Sequence, residues 1–175
     1  MSTANDKSSK ASNQSIALVS QEGDNFEVCS SAVAISEYIM KQVGTQLIDG
    51  NKDQIEEIQL PTISSQTLVR IIDFCRHHHL HLMNKIKKPL RSADLADLVD
   101  DWYVDFADLE MDQIIQVTLA ANFLGIKPLV DLMCARVALD IQQKPVKEIR
   151  QLFDIVNDFT PEEEARLQLE NAQVV

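Results

Sequence analysis

Residues 119–129 read Leu-Ala-Ala-Asn-Phe-Leu-Gly-Ile-Lys-Pro-Leu, and this stretch decides the fold of the chain. No residue from Gln113 to Ile126 is charged, although 25% of all residues are. A helix of this composition is apolar or small on nearly every side, which is typical of the interior of a domain. Gly125 is placed to end that helix in the left-handed conformation, and Pro128 suits the first turn of the next helix. The stretch predicts a buried helix, a tight corner and a second helix.

The overall composition excludes several classes of protein. A chain of 175 residues with 45% hydrophobic content can form one domain with a core and an appendage. Its net charge of −11 disfavours nucleic acids and anionic membranes as partners. No apolar run approaches the roughly 20 residues that span a bilayer, and the polar N-terminus lacks the apolar centre of a signal peptide. We therefore expect a cytoplasmic and nuclear protein.

The three cysteines support the same compartment. Cys29, Cys75 and Cys134 are odd in number, lie far apart and each has apolar neighbours in the sequence. Such cysteines are typical of buried free thiols in a reducing environment and not of a disulfide framework.

The N-terminal part predicts a hairpin after a disordered tail. Residues 1–15 are polar or small and have almost nothing to bury. Two β-prone runs, Ile16–Ser20 and Asn25–Cys29, flank the turn-forming sequence Gln-Glu-Gly-Asp. A helix over residues 30–44 should follow, with a serine as its cap and Gly44 as its terminator.

A strand and a longer helix are expected next. Residues Ile58–Leu60 include apolar and polar side chains in alternation, which is typical of a short strand. Ser64 or Ser65 then starts a helix that ends near the histidines. Its predicted buried stripe consists of Leu68, Ile71, Ile72 and Cys75.

A segment of polarised charge follows that helix. Arg76–Arg91 contains five basic residues and no acidic one, whereas Asp94–Asp112 contains eight acidic residues and no basic one. One interpretation is a solvated loop leading into a short acidic helix, which Trp102 and Phe106 anchor to the core. The other is that the insert forms an apolar docking patch of Leu80, Leu82, Met83, Ile86 and Leu90.

The C-terminal region carries a complete helix start but little apolar surface. Val146–Phe153 predicts a short amphipathic helix. Thr160 is a cap, Pro161 a first helical residue and Glu163 the capping-box partner of the second helix. Because these elements cannot bury all their apolar residues in one core, they are candidates for binding a partner.

No catalytic or metal-binding motif stands out. Consecutive histidines on a helix point about 100° apart, so His77, His78, His79 and His81 cannot converge on one ion without irregular backbone. The i, i+4 pair His77 and His81 could share a metal, but helix C-terminal histidines that favour the dipole are the better explanation. Phosphate-binding loops and nucleophile elbows are also absent from the sequence. These features favour a binding protein without cofactor or metal over an enzyme.

Two stretches together carry a family resemblance. Leu119–Lys127 and the run Asn157-Asp158-Phe159-Thr160-Pro161-Glu162-Glu163-Glu164 resemble the S-phase kinase-associated adaptor family of cullin-based ubiquitin ligases. The resemblance implies an α/β (α+β) fold, with a BTB/POZ-type domain of a small sheet and helical core over residues 16–141. This domain would carry a variable insert at about residues 80–100. Two F-box-binding helices would follow over residues 142–175.

The implied function is that of a non-catalytic adaptor in an SCF-type ubiquitin ligase, which bridges a cullin and substrate-recruiting F-box proteins. The cullin-binding positions implied by the resemblance are Asn122 and Phe123, where Phe replaces the family's Tyr. The implied F-box-binding positions are Leu129, Val137, Ile149, Phe153, Ile155, Asn157, Asp158 and Phe159. Pro161 matches a proline that is hydroxylated and glycosylated in some members of the family from unicellular eukaryotes.

The chain also departs from the family pattern. The family's acidic, proline-rich loop is replaced by the basic and apolar segment His81–Arg91, and no Trp follows Glu170-Asn171. The alternative function is a self-assembling BTB-type module that does not bind F-box proteins. A homodimer of the free chain also stays open at this point.

Overall fold

The computed structural model describes residues 15–48, 57–90, 92–142 and 144–172. The chain forms two compact units, Met1–Leu139 and Asp140–Val175. Of the tail that was expected to be disordered, only Ser15 lies within the described residues, and it belongs to a strand.

The first unit contains a three-stranded sheet with the order β2-β1-β3. Strands β1 (Ser15–Val19) and β2 (Asn25–Cys29) form the predicted antiparallel hairpin. Strand β3 (Ile58–Gln59) pairs in parallel with β1, so the connection between these two strands must cross over the sheet. The central strand buries Ile16 and Leu18 almost completely, which makes this sheet one wall of the core.

Helices make up most of the described structure, and the α+β fold class is confirmed. The helices are α1 (Ser30–Val33), α2 (Glu37–Ile48), α3 (Ser65–Leu80), α4 (Asp101–Ala107), α5 (Met111–Leu124), α6 (Lys127–Gln142), α7 (Val146–Leu152) and α8 (Pro161–Ala172). A single 3-10 turn at Leu95–Asp97 precedes α4.

The prediction of one helix over residues 30–44 is wrong, because the helix is interrupted between Val33 and Glu37. The buried Ser36 hydroxyl accepts a hydrogen bond from the N–H of Ile39 and donates one to the carbonyl oxygen of Leu124, at 3.2 and 2.7 Å. Ser36 therefore starts α2 and ties it to the end of α5. Gly44 lies inside α2 and does not terminate it.

An aromatic cluster joins α3 to α4 and was not predicted from the sequence. The ring of Phe74 contacts those of His78, Tyr103 and Phe106, with centroids 5.3–5.8 Å apart. The Tyr103 hydroxyl lies 3.0 Å from Nδ1 of His78 and donates to the carbonyl oxygen of His81. Burial lowers the pKa of His78 and raises the pKa of Tyr103 to about 12, so both groups stay neutral near pH 7.

The predicted corner between α5 and α6 is confirmed. Gly125 has a φ of 70°, and its N–H donates to the carbonyl oxygen of Asn122 at 3.1 Å. The N–H of Ile126 donates to the carbonyl oxygen of Ala121 at 2.9 Å, which completes a Schellman-type helix end. A Cβ at position 125 would lie 3.0 Å from Cβ of Glu37.

Replacing Gly125 by alanine is therefore expected to lower the free energy of unfolding by about 1–3 kcal/mol, from left-handed strain and crowding. Gly44→Ala is the matched control, because Gly44 lies in a helix interior and an alanine methyl group there would meet no atom within 4 Å. We expect this control to stabilise the chain by about 0.5–1 kcal/mol. Urea denaturation measures the free energy of unfolding of both variants. If both substitutions changed it in the same direction and by the same amount, the interpretation would be contradicted.

The basic segment Arg76–Arg91, which we call the basic insert, has apolar residues both in the core and on the surface. Ile86 is only 6% exposed, and Met83 and Leu90 pack against the core. In contrast, the side chains of Leu80 and Leu82 are 74% and 76% exposed. The five apolar residues of the insert thus do not form one docking patch, and only two of them lie on the surface.

The cysteines differ in burial, contrary to the prediction that all three are buried. None of them is assigned to a disulfide among the described residues, but only Cys75 is buried, whereas Cys29 is intermediate and Cys134 exposed. Burial raises the pKa of Cys75 to about 12, so this thiol stays protonated.

The second unit contains α7 and α8, and the predicted capping box is present at the start of α8. The N–H of Thr160 donates to Oε2 of Glu163 at 2.9 Å, and the N–H of Glu163 donates to Oγ1 of Thr160 at 3.4 Å. No helix in the described part of the chain is long and apolar enough to cross a membrane.

Candidate partner-binding surfaces

One side of α5 carries apolar side chains that the core does not cover. Ile115, Leu119 and Phe123 are 38%, 65% and 46% exposed. Their spacing of four residues places them on one face of the helix. The prediction that this helix is buried nearly all round is therefore wrong for this face. We call Ile115, Leu119, Asn122 and Phe123 the α5 surface.

The α5 surface borders a groove of about 420 Å³. Leu119 and Phe123 line this groove together with Gln21 and residues 62–64. The Phe123 ring lies against that of Tyr38, with centroids 4.8 Å apart, so its orientation is supported from within the same unit. The exposed Asn122 side chain forms no hydrogen bond with another described residue and is free to bind a partner.

A second group of exposed apolar side chains lies in the unit Asp140–Val175. Phe159 is 43% exposed, Ile155 55% and Val156 82%. Ile149 and Phe153 are partly buried. We call these five residues the C-terminal surface. The sequence reasoning missed Val156, although its position between Ile155 and the polar pair Asn157-Asp158 could have suggested it.

Arg150 organises the C-terminal surface. Its guanidinium lies 5.4 Å from the centroid of the Phe159 ring and 3.5 Å from Oε1 of Glu164. The same Glu164 oxygen accepts a hydrogen bond from Nδ2 of Asn157 at 2.7 Å. The Asn157 amide is thus used within the unit, and both Asn157 and Asp158 are exposed. A groove of about 830 Å³ lies beside Arg150 and Ile155.

The histidines at the end of α3 have structural contacts. His77 stacks on Trp102 with centroids 3.7 Å apart, and His78 belongs to the buried aromatic cluster. His77 and His81 lie with centroids 5.0 Å apart. In the described ranges, no three His, Cys, Asp or Glu side chains are grouped so that they could hold a metal ion.

Comparison with known proteins decides the family. Residues 14–80 match the tetramerisation domain of the Skp1 family, and residues 127–174 match its dimerisation domain. The chain belongs to the Skp1 family. The S-phase kinase-associated protein 1 homolog of Tetrahymena thermophila is 38% identical over 157 residues, which cover 89% of this chain and 91% of that protein.

Two further Skp1-family relatives extend the comparison. SKP1-like protein 11 of Arabidopsis thaliana is 38% identical over 91% of this chain and 96% of its own length. SCF ubiquitin ligase complex protein SKP1a of Dictyostelium discoideum is 40% identical over 65% of this chain and 70% of its own length. The name of the Dictyostelium protein places it in an SCF ubiquitin ligase complex.

Two of the predicted F-box-binding residues of this Skp1-family chain do not lie on an exposed surface. Leu129 is 0% exposed and belongs to the core of the first unit. Its assignment to a partner surface is therefore corrected: it stabilises the fold. Val137 is partly buried and packs against the same core. Both residues lie on the apolar side of α6, where sequence periodicity does not distinguish core from interface.

Pro161 is accessible in the structure. It is the exposed first residue of α8, next to the cap Thr160. Its hydroxylation and glycosylation stay a prediction from the resemblance, which mass spectrometry of the native peptide would test. A peptide found only in the unmodified form would count against it.

Proposed function

We propose that this chain is a non-catalytic adaptor subunit of an SCF-type ubiquitin ligase. In this role the α5 surface binds a cullin scaffold, and the C-terminal surface binds the F-box proteins that recruit substrates. The observation that carries the proposal is that a Skp1-family chain exposes apolar residues on two separate elements. Exposed apolar side chains of this kind are typical of binding sites.

Three features support a cullin as the partner of the α5 surface. An apolar stripe with an adjacent groove offers the shape into which a partner helix can pack. Asn122 provides a polar group beside the stripe and Phe123 an aromatic one, and aromatic residues are enriched at protein–protein interfaces. The exchange of Tyr for Phe at position 123 removes one hydroxyl and keeps the ring, so most of the buried apolar area is retained.

The case for F-box proteins rests on the composition of the C-terminal surface. One of its apolar residues, Ile155, lines a groove whose walls also carry the charged residues Lys147, Arg150, Asp154 and Glu164. Apolar side chains with polar and charged residues beside them are the usual composition of a protein–protein interface. Val156, which is more exposed than any other large apolar side chain described, adds to the area that a partner can cover.

Replacing Phe159 by aspartate should remove F-box proteins from the complex and leave cullin binding intact. The variant places a carboxylate in the apolar surface and removes the ring over Arg150, and we expect the recovery of F-box proteins to fall roughly tenfold or more. Affinity purification of wild type and variant from native cells, with partners identified by mass spectrometry, measures this. Val69→Asp is the matched control, because Val69 is 41% exposed on α3, close to the 43% of Phe159.

The outcomes separate the alternatives. Recovery of a cullin with both chains, and of F-box proteins only with wild type and control, supports the adaptor with two separate surfaces. If the Phe159 variant loses both partners, misfolding is the better explanation and the surface assignment is withdrawn. Recovery of neither partner with wild type would contradict the adaptor role and favour the self-assembling module.

Two further statements belong to this proposal. When no F-box protein is bound, a second copy of the chain covers the C-terminal surface, which the match of residues 127–174 to a dimerisation domain supports. The complex works in the cytoplasm and nucleus, and three cysteines that are assigned to no disulfide among the described residues agree with a reducing compartment.

A further inference from the structure

The basic insert presents a third surface, which the adaptor function does not use. Leu80 and Leu82 are 74% and 76% exposed and lie directly after the last turn of α3. Lys85 and Lys87 follow, and both are exposed. We call these four residues the insert surface. Burying the two leucines against a partner would remove a substantial apolar area from water.

Two hydrogen bonds and one buried side chain hold the backbone of the insert surface in place. The carbonyl oxygen of His81 accepts a hydrogen bond from the Tyr103 hydroxyl at 2.5 Å, and the N–H of Met83 donates to Nδ1 of His78 at 3.3 Å. Further along, Ile86 is 6% exposed and anchors the segment in the core. The exposed leucines are thus displayed on a positioned segment, which lowers the ordering cost of binding.

The charge of the insert is opposite to that of the chain. Five basic residues and no acidic one lie in Arg76–Arg91, within a protein of net charge −11. The buried Ile86 between Lys85 and Lys87 directs both lysines outward, and neither forms an ion pair with another described residue. In contrast, Lys88 pairs with Asp131 at 2.8 Å. Two positive charges are therefore available to a partner.

We propose that the insert surface docks an acidic segment of a partner protein, one that combines carboxylates with apolar side chains. The carboxylates would lie at Lys85 and Lys87, and the apolar side chains on Leu80 and Leu82. Charge complementarity of this kind increases specificity and association rate, while the apolar contact supplies affinity.

The acidic run Asp94–Asp112 favours a peptide over a nucleic acid or a membrane. Helix α4 belongs to this run and lies beside the end of α3, because Trp102 stacks on His77. A polyphosphate or an anionic vesicle presents negative charge over a wide area and is repelled by this helix. A peptide can place its carboxylates at the two lysines and uncharged side chains elsewhere.

Selection from a displayed library of random short peptides tests the proposal. The full chain is the bait, and the variant Lys85→Glu with Lys87→Glu is the counter-selection. We expect the enriched peptides to be acidic and to contain apolar residues. Fluorescence anisotropy should show about tenfold weaker binding to the charge-reversed variant and to Leu80→Ser with Leu82→Ser, and a loss of affinity with added salt.

Matched controls keep the test independent of folding. Lys144→Glu and Val69→Ser change exposed residues of the same types elsewhere and should leave peptide binding unchanged. A peptide in which lysine replaces the acidic residues should bind the charge-reversed variant, which a misfolded variant could not do. Circular dichroism checks the fold of each variant.

Several results would overturn the proposal. One is a selection in which no enriched peptide depends on the insert, and another is enrichment of neutral or basic peptides. If phosphatidylserine vesicles or single-stranded RNA bound the insert surface more strongly than the selected peptides, the ligand would be a membrane or a nucleic acid and not an acidic peptide. Sedimentation showing a dimer that the substitutions at Leu80 and Leu82 dissociate would identify a second copy of the chain as the occupant.

Discussion

Replacing Asn122 and Phe123 together by lysine is expected to abolish cullin binding, with affinity falling roughly hundredfold or more. The two substitutions place two positive charges at the centre of the α5 surface and remove the Phe123 ring from its contact with Tyr38. Because both side chains are exposed, the core is unchanged and the chain should stay folded. Isothermal titration with a purified cullin measures the loss, and F-box binding in the same preparation should persist.

The control for this variant is Leu82→Lys with Asn84→Lys. It likewise exchanges one exposed apolar residue and one exposed asparagine for lysine, but in the basic insert. We expect cullin affinity equal to that of wild type. If the control lost binding to the same extent, net charge would explain the effect and the assignment of the α5 surface would not stand.

Phe74→Ala should be the most damaging single substitution for stability, with a loss of about 3–5 kcal/mol in the free energy of unfolding. The Phe74 side chain is 0% exposed and contacts the rings of His78, Tyr103 and Phe106. Its removal leaves a cavity between α3 and α4 that the rigid rings around it cannot fill. Urea denaturation, followed by circular dichroism, measures the change.

Phe123→Ala is the matched comparison for that prediction, since it deletes the same ring from an exposed position. Phe123 is 46% exposed and contacts one aromatic neighbour, Tyr38. The expected cost in stability is below about 1 kcal/mol, together with weaker cullin binding. Similar destabilisation by both substitutions would show that Phe74 is not at the centre of the core.

The candidate surfaces were predictable in part. Phe159 and Ile155 belong to a short, widely polar region that cannot bury its apolar residues in a core of its own, so their exposure could be expected from composition. The resemblance also placed Asn122 and Phe123 on a partner surface, and both are exposed. Leu129 was misplaced, because core and interface residues share one apolar periodicity along a helix.

The sequence predicted correctly the features that depend on neighbouring residues. The hairpin turn, the Gly125 corner and the capping box of Thr160 and Glu163 all appear where predicted, and of the two serines that could start α3 the structure uses Ser64 as the cap. Each depends on residues within a few positions of one another, so the local chain contains the whole signal.

Long-range contacts decided the rest. The break at Ser36 exists because its hydroxyl bonds to Leu124, 88 residues further along the chain. His78 is buried because it packs against Tyr103, 25 residues away, whose hydroxyl lies 3.0 Å from its Nδ1. Helices α2 and α3 pack against α5, and its exposed face is the one that they leave uncovered. Composition shows that such side chains are apolar or polar, but only packing determines which of them the core encloses and which remain for a partner.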